Sequence, residues 1–203
     1  NNLRAKGQNI GAFQTRNIPH FGHEKIMANM LEKCDHLVIN PVIGPKKQGD
    51  VKLESLTAVF KYLTATKYGD KISFAPIFAN MFYAGPLEAL HHALLRQTLG
   101  FRYFTVGRDH AGAENAYAPN MASDLLEKSK NKLGIRVIQH KGAVFCSKCN
   151  KTIIIGECHH SIINMRDISG SDFRASIAKK CIFPLADQEM QRYLFNSKME
   201  IFE

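Results

Sequence analysis

The chain has 203 residues and is 45% hydrophobic, enough for one sizeable core with a small appendage. Its 27 basic and 18 acidic side chains give a net charge of +9, which favours anionic partners (nucleotides, oxyanions, nucleic acid or an acidic membrane surface) without choosing among them. No run is apolar over the length a bilayer span requires and no signal-peptide pattern is present, so a cytoplasmic protein is expected; Asn rather than Met at position 1 suits a chain trimmed from a longer one.

Short apolar, β-rich runs alternate with helical patterns. Strands are predicted at 10–13, 36–43, 72–78, 103–106 and 136–139, and helices at 22–34, 51–68, 86–99 and 120–133. In the second helix Leu53, Leu56, Val59, Phe60 and Leu63 recur at spacings of three and four, a single apolar face. The longest apolar run, 72–84, is broken by Pro76 and Asn80 and reads as strand and loop. Strand and helix alternating in this way predict an α/β fold: a Rossmann-like parallel sheet with helices on both faces, right-handed crossovers, and ligands at the carboxyl ends of the strands. Lys128, Lys130 and Lys132 read as a solvated helix face. After Gln139 the alternation stops. A Cys-rich stretch, 146–160, is followed by helical patterns at 171–180 and 185–195, the last expected to open at Pro184. The expected division is therefore an α/β domain over 1–140, with a knuckle and C-terminal helical part of the same unit over 141–203.

Three segments carry the chemistry. The first, Gln14-Thr15-Arg16-Asn17-Ile18-Pro19-His20-Phe21-Gly22-His23, leaves a strand and opens a helix. His20 and His23, three apart, share a face at a helix N-terminus, where free N–H groups and the dipole already favour anions. Gly22 lets a nucleotide approach the backbone, and Arg16 can fork onto an oxyanion. The second, Gly107-Arg108-Asp109-His110-Ala111-Gly112, again at a strand end, suits a loop that wraps a nucleotide and neutralises phosphate. The third, Ile168-Ser169-Gly170-Ser171-Asp172-Phe173-Arg174, puts hydroxyls and a glycine before a helix, as an N-cap or phosphate turn.

Together these segments resemble the His-containing nucleotidyltransferases and, through the Gln-x-Arg-Asn lead-in, the ATP sulfurylase family. The family's GRDHAG signature stands letter for letter at 107–112, and its Ser-Gly-Thr-x-x-Arg segment at 169–174 with Ser171 for Thr. The family's Asn-Pro-x-His becomes Asn17-Ile18-Pro19-His20, with the His spacing kept. Asn40-Pro41-Val42-Ile43-Gly44 with Lys46, Gly49 and Asp50 follows the family's second-strand loop. Met81-Phe82-Tyr83-Ala84-Gly85-Pro86-Leu87-Glu88-Ala89 follows its Met-Arg-Tyr-Ala-Gly-Pro-Arg-Glu-Ala run, with Phe82 and Leu87 in place of both Arg.

The resemblance implies sulfate adenylyl transfer: sulfate attacks the α-phosphate of ATP in line and pyrophosphate leaves. It assigns sulfate to Gln14, Arg16 and the backbone near Ala111, and ATP to Thr15, Asn17, His20, His23, Gly107, Arg108, Asp109, His110, Ser169, Gly170 and Ser171, with Gln14 and Arg16 beside them. Arg16, Asn17, His20, His23 and Arg108 are the implied catalytic residues, with Mg²⁺ riding on the leaving pyrophosphate. The family's N-terminal domain is expected to be absent, and a homo-oligomer is open. No G-x-x-x-x-G-K-[ST] loop, the mark of a fused kinase domain, is present.

Cys146-x-x-Cys149, Cys158 and His159-His160 are expected to form a closed structural zinc site rather than disulfides. Either His could be the fourth ligand; the family's Cys-x-His pattern favours His160. Cys34 and Cys181 read as buried apolar residues. Two other functions are compatible with the sequence. One is the same fold acting on another oxyanion or a phosphorylated acceptor, suggested by Phe82 and Leu87. The other is a zinc-stapled nucleic-acid-binding module, which lacks an Arg-packed recognition helix or an aromatic stacking run; nucleic-acid and membrane partners are therefore not expected.

Overall fold

The computed structural model describes residues 7–44, 49–107, 117–118 and 120–203. The predicted alternation is there: β1 (Ile10–Phe13), α1 (Phe21–Leu31), β2 (His36–Ile39), α2 (Leu53–Leu63), β3 (Ile72–Phe74), α3 (Pro86–Thr98), β4 (Tyr103–Val106), α4 (Met121–Ser129) and β5 (Arg136–Gln139). The five strands are all parallel, in the order β3-β2-β1-β4-β5. The chain steps outward from β1 to β3, then returns to the other side of β1 for β4. The switch point, where crossovers leave a crevice, therefore lies between β1 and β4.

Side chains alternate between the two faces. Phe13, Leu37 and Ile39 meet Met27 and Met30 of α1 and Leu56, Val59, Phe60 and Leu63 of α2. Ala12, Phe104 and Val106 meet Ala89 and Ala93 of α3 and Leu126 of α4. Burial on both faces is why these strands read as continuous apolar runs.

β2 and β3 are shorter than expected. Pro41 and Pro76 cannot donate to a ladder, so regular pairing stops at Ile39 and Phe74 and resumes only as one bridge, Val42 to Ile77. α2 also ends early. Thr64–Tyr68 form a π turn that carries Lys67 and Tyr68 onto the buried carboxylate of Glu24 on α1.

A second, antiparallel sheet of β6 (Ala143–Cys146), β7 (Lys151–Ile154) and β8 (Met165–Asp167) has the order β7-β6-β8. α1 packs against β6 and β7, and Lys25 pairs with Glu157 at 3.0 Å. α5 (Gly170–Ala178) and α6 (Gln188–Asn196) return to the α1–α2 face and add Phe173, Ile177, Met190 and Leu194 to its core.

Two expectations fail here. α6 does not open at Pro184: its cap is Asp187, whose carboxylate accepts from the Met190 N–H at 2.9 Å. Cys181 is exposed, because Lys180 (φ +53°) closes α5 and Cys181 follows on the surface, whereas Cys34 is buried. Lys128, Lys130 and Lys132 are exposed, as expected of a solvated face. Among the described residues no helix is long and apolar enough to cross a membrane.

Candidate active site

The loop leaving β1 is shaped by its own side chains. The Thr15 hydroxyl accepts from the Asn17 N–H and donates to the Asn17 carbonyl, both at 3.1 Å, which tightens the turn and leaves Arg16 at its apex. α1 then begins at an unusual cap. His20 Nδ1 accepts from the Gly22 N–H at 3.1 Å, and His23 Nδ1 accepts from the His20 N–H at 3.3 Å, a capping box built from two imidazoles. With Nδ1 of each ring engaged as an acceptor, the proton of each sits on Nε2. Burial keeps both neutral: desolvation lowers the His20 pKa to about 4, and desolvation plus the neighbouring His20 lowers that of His23 well below its usual value. The ring centroids are 3.9 Å apart. The result is a pair of neutral N–H donors at a helix N-terminus, an arrangement suited to phosphate oxygens.

Gly22 has a nearer reason than nucleotide approach. A Cβ there would come within 2.8 Å of His20 Cε1, so only glycine lets the His20 ring fold back onto the helix end.

The third motif joins the first in space. Arg174 Nη1 on α5 donates to Asn17 Oδ1 at 3.0 Å, and Ser169 caps α5 by accepting from the Asp172 N–H at 3.1 Å. Asn17, His20, Gly170, Phe173 and Arg174 line one small cavity. A second pocket is lined by Gln14, Thr15, Arg16, Val42, Gly44, Asp50, Met81 and Tyr83. In it Arg16 Nη1 donates to the Tyr83 hydroxyl at 3.4 Å, and Gln14 Nε2 lies 3.9 Å from Met81 Sδ. Met81, Tyr83 and Arg174 are site neighbours that sequence reasoning did not assign, although all three sit in segments it had singled out. Phe82 and Leu87 do not line either pocket; they are 64% and 67% exposed.

Gly107 stands at the end of β4, across the switch point from β1. Arg108, Asp109, His110 and Ala111, and Lys46 of the second-strand loop, lie outside the described residues.

In the small sheet, Cys146, Cys149, Cys158 and His160 converge, with all ligand atoms within 4.8 Å of one another. Cys158 Sγ is 3.9 Å from Cys146 Sγ, and His160 Nδ1 is 3.5 and 3.3 Å from the sulfurs of Cys146 and Cys149. Tetrahedral Zn–S and Zn–N bonds imply edges of about 3.8 Å between sulfurs and about 3.5 Å between sulfur and nitrogen. The donor set therefore fits a zinc-sized ion, and it includes His160 rather than His159. The Cys149 N–H donating to Cys146 Sγ at 3.5 Å lowers the Cys146 pKa to about 6, towards the thiolate a metal requires.

A parallel sheet with two imidazoles at a helix N-terminus beside its switch point defines an α/β domain of the kind that collects ligands at the carboxyl ends of its strands. Residues 2–185 match the family model described as ATP-sulfurylase, and the chain belongs to that family. It is 39% identical over 179 residues to a sulfate adenylyltransferase of Pyrococcus abyssi (87% of this chain, 47% of the relative). It is 40% identical over 180 residues to one of Staphylothermus marinus (88% and 47%). The chain thus spans about half the length of the curated relatives it matches. Among solved structures it is similar in fold to a chain of the hexameric APS kinase from Thiobacillus denitrificans, with a TM-score of 0.67 at 15% identity over 97% of this chain and 38% of that one.

Proposed function

We propose that this chain is the catalytic part of a sulfate adenylyltransferase, which joins sulfate to the AMP moiety of ATP. A sulfate oxygen bonds to the α-phosphorus in line, the bond from that phosphorus to the β-bridging oxygen breaks, and pyrophosphate leaves. The chain's contribution is position and charge rather than covalent chemistry. One observation carries the reading: a single loop off β1 presents Gln14 and Arg16 to one pocket and, four and seven residues after Arg16, two neutral Nε2–H donors at a helix N-terminus. This pairs a site for a small dianion with a site for a polyphosphate. The relatives named sulfate adenylyltransferase point the same way.

In this reading Gln14, Arg16 and the backbone near Ala111 hold sulfate. Asn17, His20 and His23 hold the ATP phosphates, with Arg174 fixing the Asn17 amide. Thr15 shapes the turn. Gly107, Arg108, Asp109 and His110 form the nucleotide loop, and Ser169, Gly170 and Ser171 the phosphate turn at α5. Arg108 balances charge with the Mg²⁺ that accompanies ATP. The Cys146, Cys149, Cys158 and His160 cluster holds a structural zinc ion, which when bound ties the small sheet together. Residues 1–140 and 141–203 act as one catalytic unit, working in the cytoplasm, where ATP is available.

The test is pyrophosphate release from ATP by this chain, with and without sulfate. Sulfate-dependent release supports the reading. Phe82 and Leu87 stand where the family has Arg and are the sequence ground for a second reading with a different acceptor; both are exposed and line neither pocket, so the geometry lends that reading no support. Release with molybdate or a phosphorylated acceptor but not with sulfate would establish that one instead.

A further inference from the structure

An arginine side chain has four rotatable bonds, so a guanidinium aimed at a small anion needs something to aim it. The Arg16 guanidinium carbon lies 5.5 Å from the centroid of the Tyr83 ring, and Nη1 meets the Tyr83 hydroxyl at 3.4 Å. Ring face and hydroxyl together restrain both the plane and the direction of the group. Tyr83 is itself in an unfavourable place, with φ +53°, a left-handed conformation that costs a bulky residue free energy and persists only when its surroundings enforce it.

The enforcement comes from Glu88 in the first turn of α3. Its side chain is 0% exposed, and its two oxygens accept from the N–H groups on either side of Tyr83: Phe82 at 2.8 Å and Ala84 at 2.9 Å. His92, one turn further along α3 and also buried, brings Nε2 to 3.5 Å from the same carboxylate. On the other flank Gly85, also at φ +53°, lies against Tyr117, where a Cβ would come within 2.4 Å of the ring. The loop is gripped from both ends. Phe82 faces outward while Met81 and Tyr83 face the pocket.

We propose that Tyr83 is a positioning residue that aims Arg16 into the acceptor pocket, and that Glu88 fixes Tyr83 by clamping the two amides that flank it. The proposal rests on the sulfate reading for its functional half. It makes the acceptor site depend on Glu88, which lines neither pocket.

Tyr83→Phe keeps the ring and removes the hydroxyl; the expected result is a rise of about three- to tenfold in KM for sulfate, with KM for ATP and Tm unchanged. Tyr83→Ala also removes the ring, and a rise on the order of 30-fold is expected. Glu88→Gln replaces one acceptor oxygen with an NH₂ that opposes an amide N–H. It is expected to reproduce the sulfate-specific defect and to speed hydrogen exchange at the Phe82 and Ala84 amides. The double variant is expected to be no worse than Tyr83→Ala alone. Additive losses in the double variant, equal changes in KM for sulfate and ATP, or an unchanged KM for sulfate in Tyr83→Ala would overturn the proposal. If Glu88→Gln does not fold, the Tyr83 variants decide by themselves.

If the wild-type chain shows no sulfate-dependent release, the functional reading fails while the positioning claim is still decided by modification of Arg16 with phenylglyoxal, read by mass spectrometry. Faster modification of Arg16 in Tyr83→Ala than in wild type upholds the positioning. Equal rates refute it.

Discussion

The exit of β1 and the cysteine knuckle both gather polar side chains around a small volume, and both use histidine, but they leave different atoms available. In the knuckle, His160 turns Nδ1 towards the sulfurs of Cys146 and Cys149 at 3.5 and 3.3 Å, Cys158 Sγ lies 3.9 Å from Cys146 Sγ, and all four donor atoms lie within 4.8 Å of one another. Nothing in that arrangement points elsewhere. At the exit of β1, Nδ1 of His20 and His23 is consumed by backbone N–H groups, so the rings are fixed while their Nε2–H donors remain available. One site is closed on itself and suits a structural ion; the other spends half its hydrogen-bonding capacity on preorganisation and keeps the other half for a ligand. α1 connects the two, carrying the imidazoles at its first turn and packing against β6 and β7.

The largest expected effect tests the open site. Arg16→Ala should lower kcat/KM for sulfate by about 10³-fold or more, because it removes the one cation that lines the acceptor pocket among the described residues. ATP affinity and Tm should stay near wild type. A variant with near-normal turnover would remove sulfate from this pocket.

Next in size, His20→Ala and His23→Ala should each slow turnover on the order of 10²- to 10³-fold, as for losing one preorganised donor to developing charge. Each also breaks half of the capping box, so an accompanying stability loss of about 1 kcal/mol is expected by denaturant unfolding. Wild-type rates with only that stability loss would make the pair a cap and nothing more.

How far this contrast could be read from the sequence depends on whether its causes are local. β1 and β4 match their predicted bounds because an apolar run buried on both faces is a local signal; β5, a partly buried edge strand, matches as well. β2 and β3 were overestimated because Pro41 and Pro76 lie inside apolar runs, and the period says nothing about a missing N–H. Thr15, His20, Gly22 and His23 make their bonds within three residues of one another, so their motif was legible. The knuckle was legible through its Cys spacing, and even there the choice of His160 over His159 needed the family pattern. What stayed hidden is long-range: Arg174 reaches Asn17 across 157 positions, and Tyr83 reaches Arg16 across 67. Cys181 read as apolar and buried, yet the turn at Lys180 leaves it on the surface. Residues 108–111, which the resemblance ties to the nucleotide, lie outside the described residues.

A smaller effect on turnover and a larger one on stability should come from the closed site. Cys146→Ser should abolish stoichiometric zinc binding, measured by metal analysis, and lower Tm by several degrees, as for losing about 1–3 kcal/mol in a domain of this size. At a temperature where the variant is still folded, turnover should change by less than about tenfold, since four protein ligands leave no position for substrate or activated water. Loss of turnover comparable to that of Arg16→Ala in a folded variant would show that the two sites are not separable. His159→Ala should leave the zinc content unchanged, and His160→Ala should not.

The smallest effect sharpens the contrast through pH. In the unfolded chain a histidine takes up its proton near pH 6.5. Folded, His20 does so only near pH 4, because burial disfavours the imidazolium. The unfolded state therefore binds more protons than the folded one across that interval, and stability must fall as the pH drops from about 6.5 towards 4, while above about pH 7 the term is fully present. The slope is at most about 1.4 kcal/mol per pH unit from His20, and His23, whose pKa is shifted in the same direction, adds to it. Carboxylates and any metal release from the knuckle titrate in the same range, so the slope for wild type alone decides nothing. His20→Asn removes the imidazole but keeps an N-cap acceptor, and the remaining groups are common to both proteins. Urea unfolding of the two proteins between pH 7 and 4.5 should give curves that converge as the pH falls, with wild type losing up to about 1.4 kcal/mol more per unit. Parallel curves would mean that His20 is protonated as readily in the folded protein as in the unfolded chain. The paired neutral donors at the N-terminus of α1 would then have to be replaced by an imidazolium, and the open site would hold its anion by charge rather than by preorganised N–H groups.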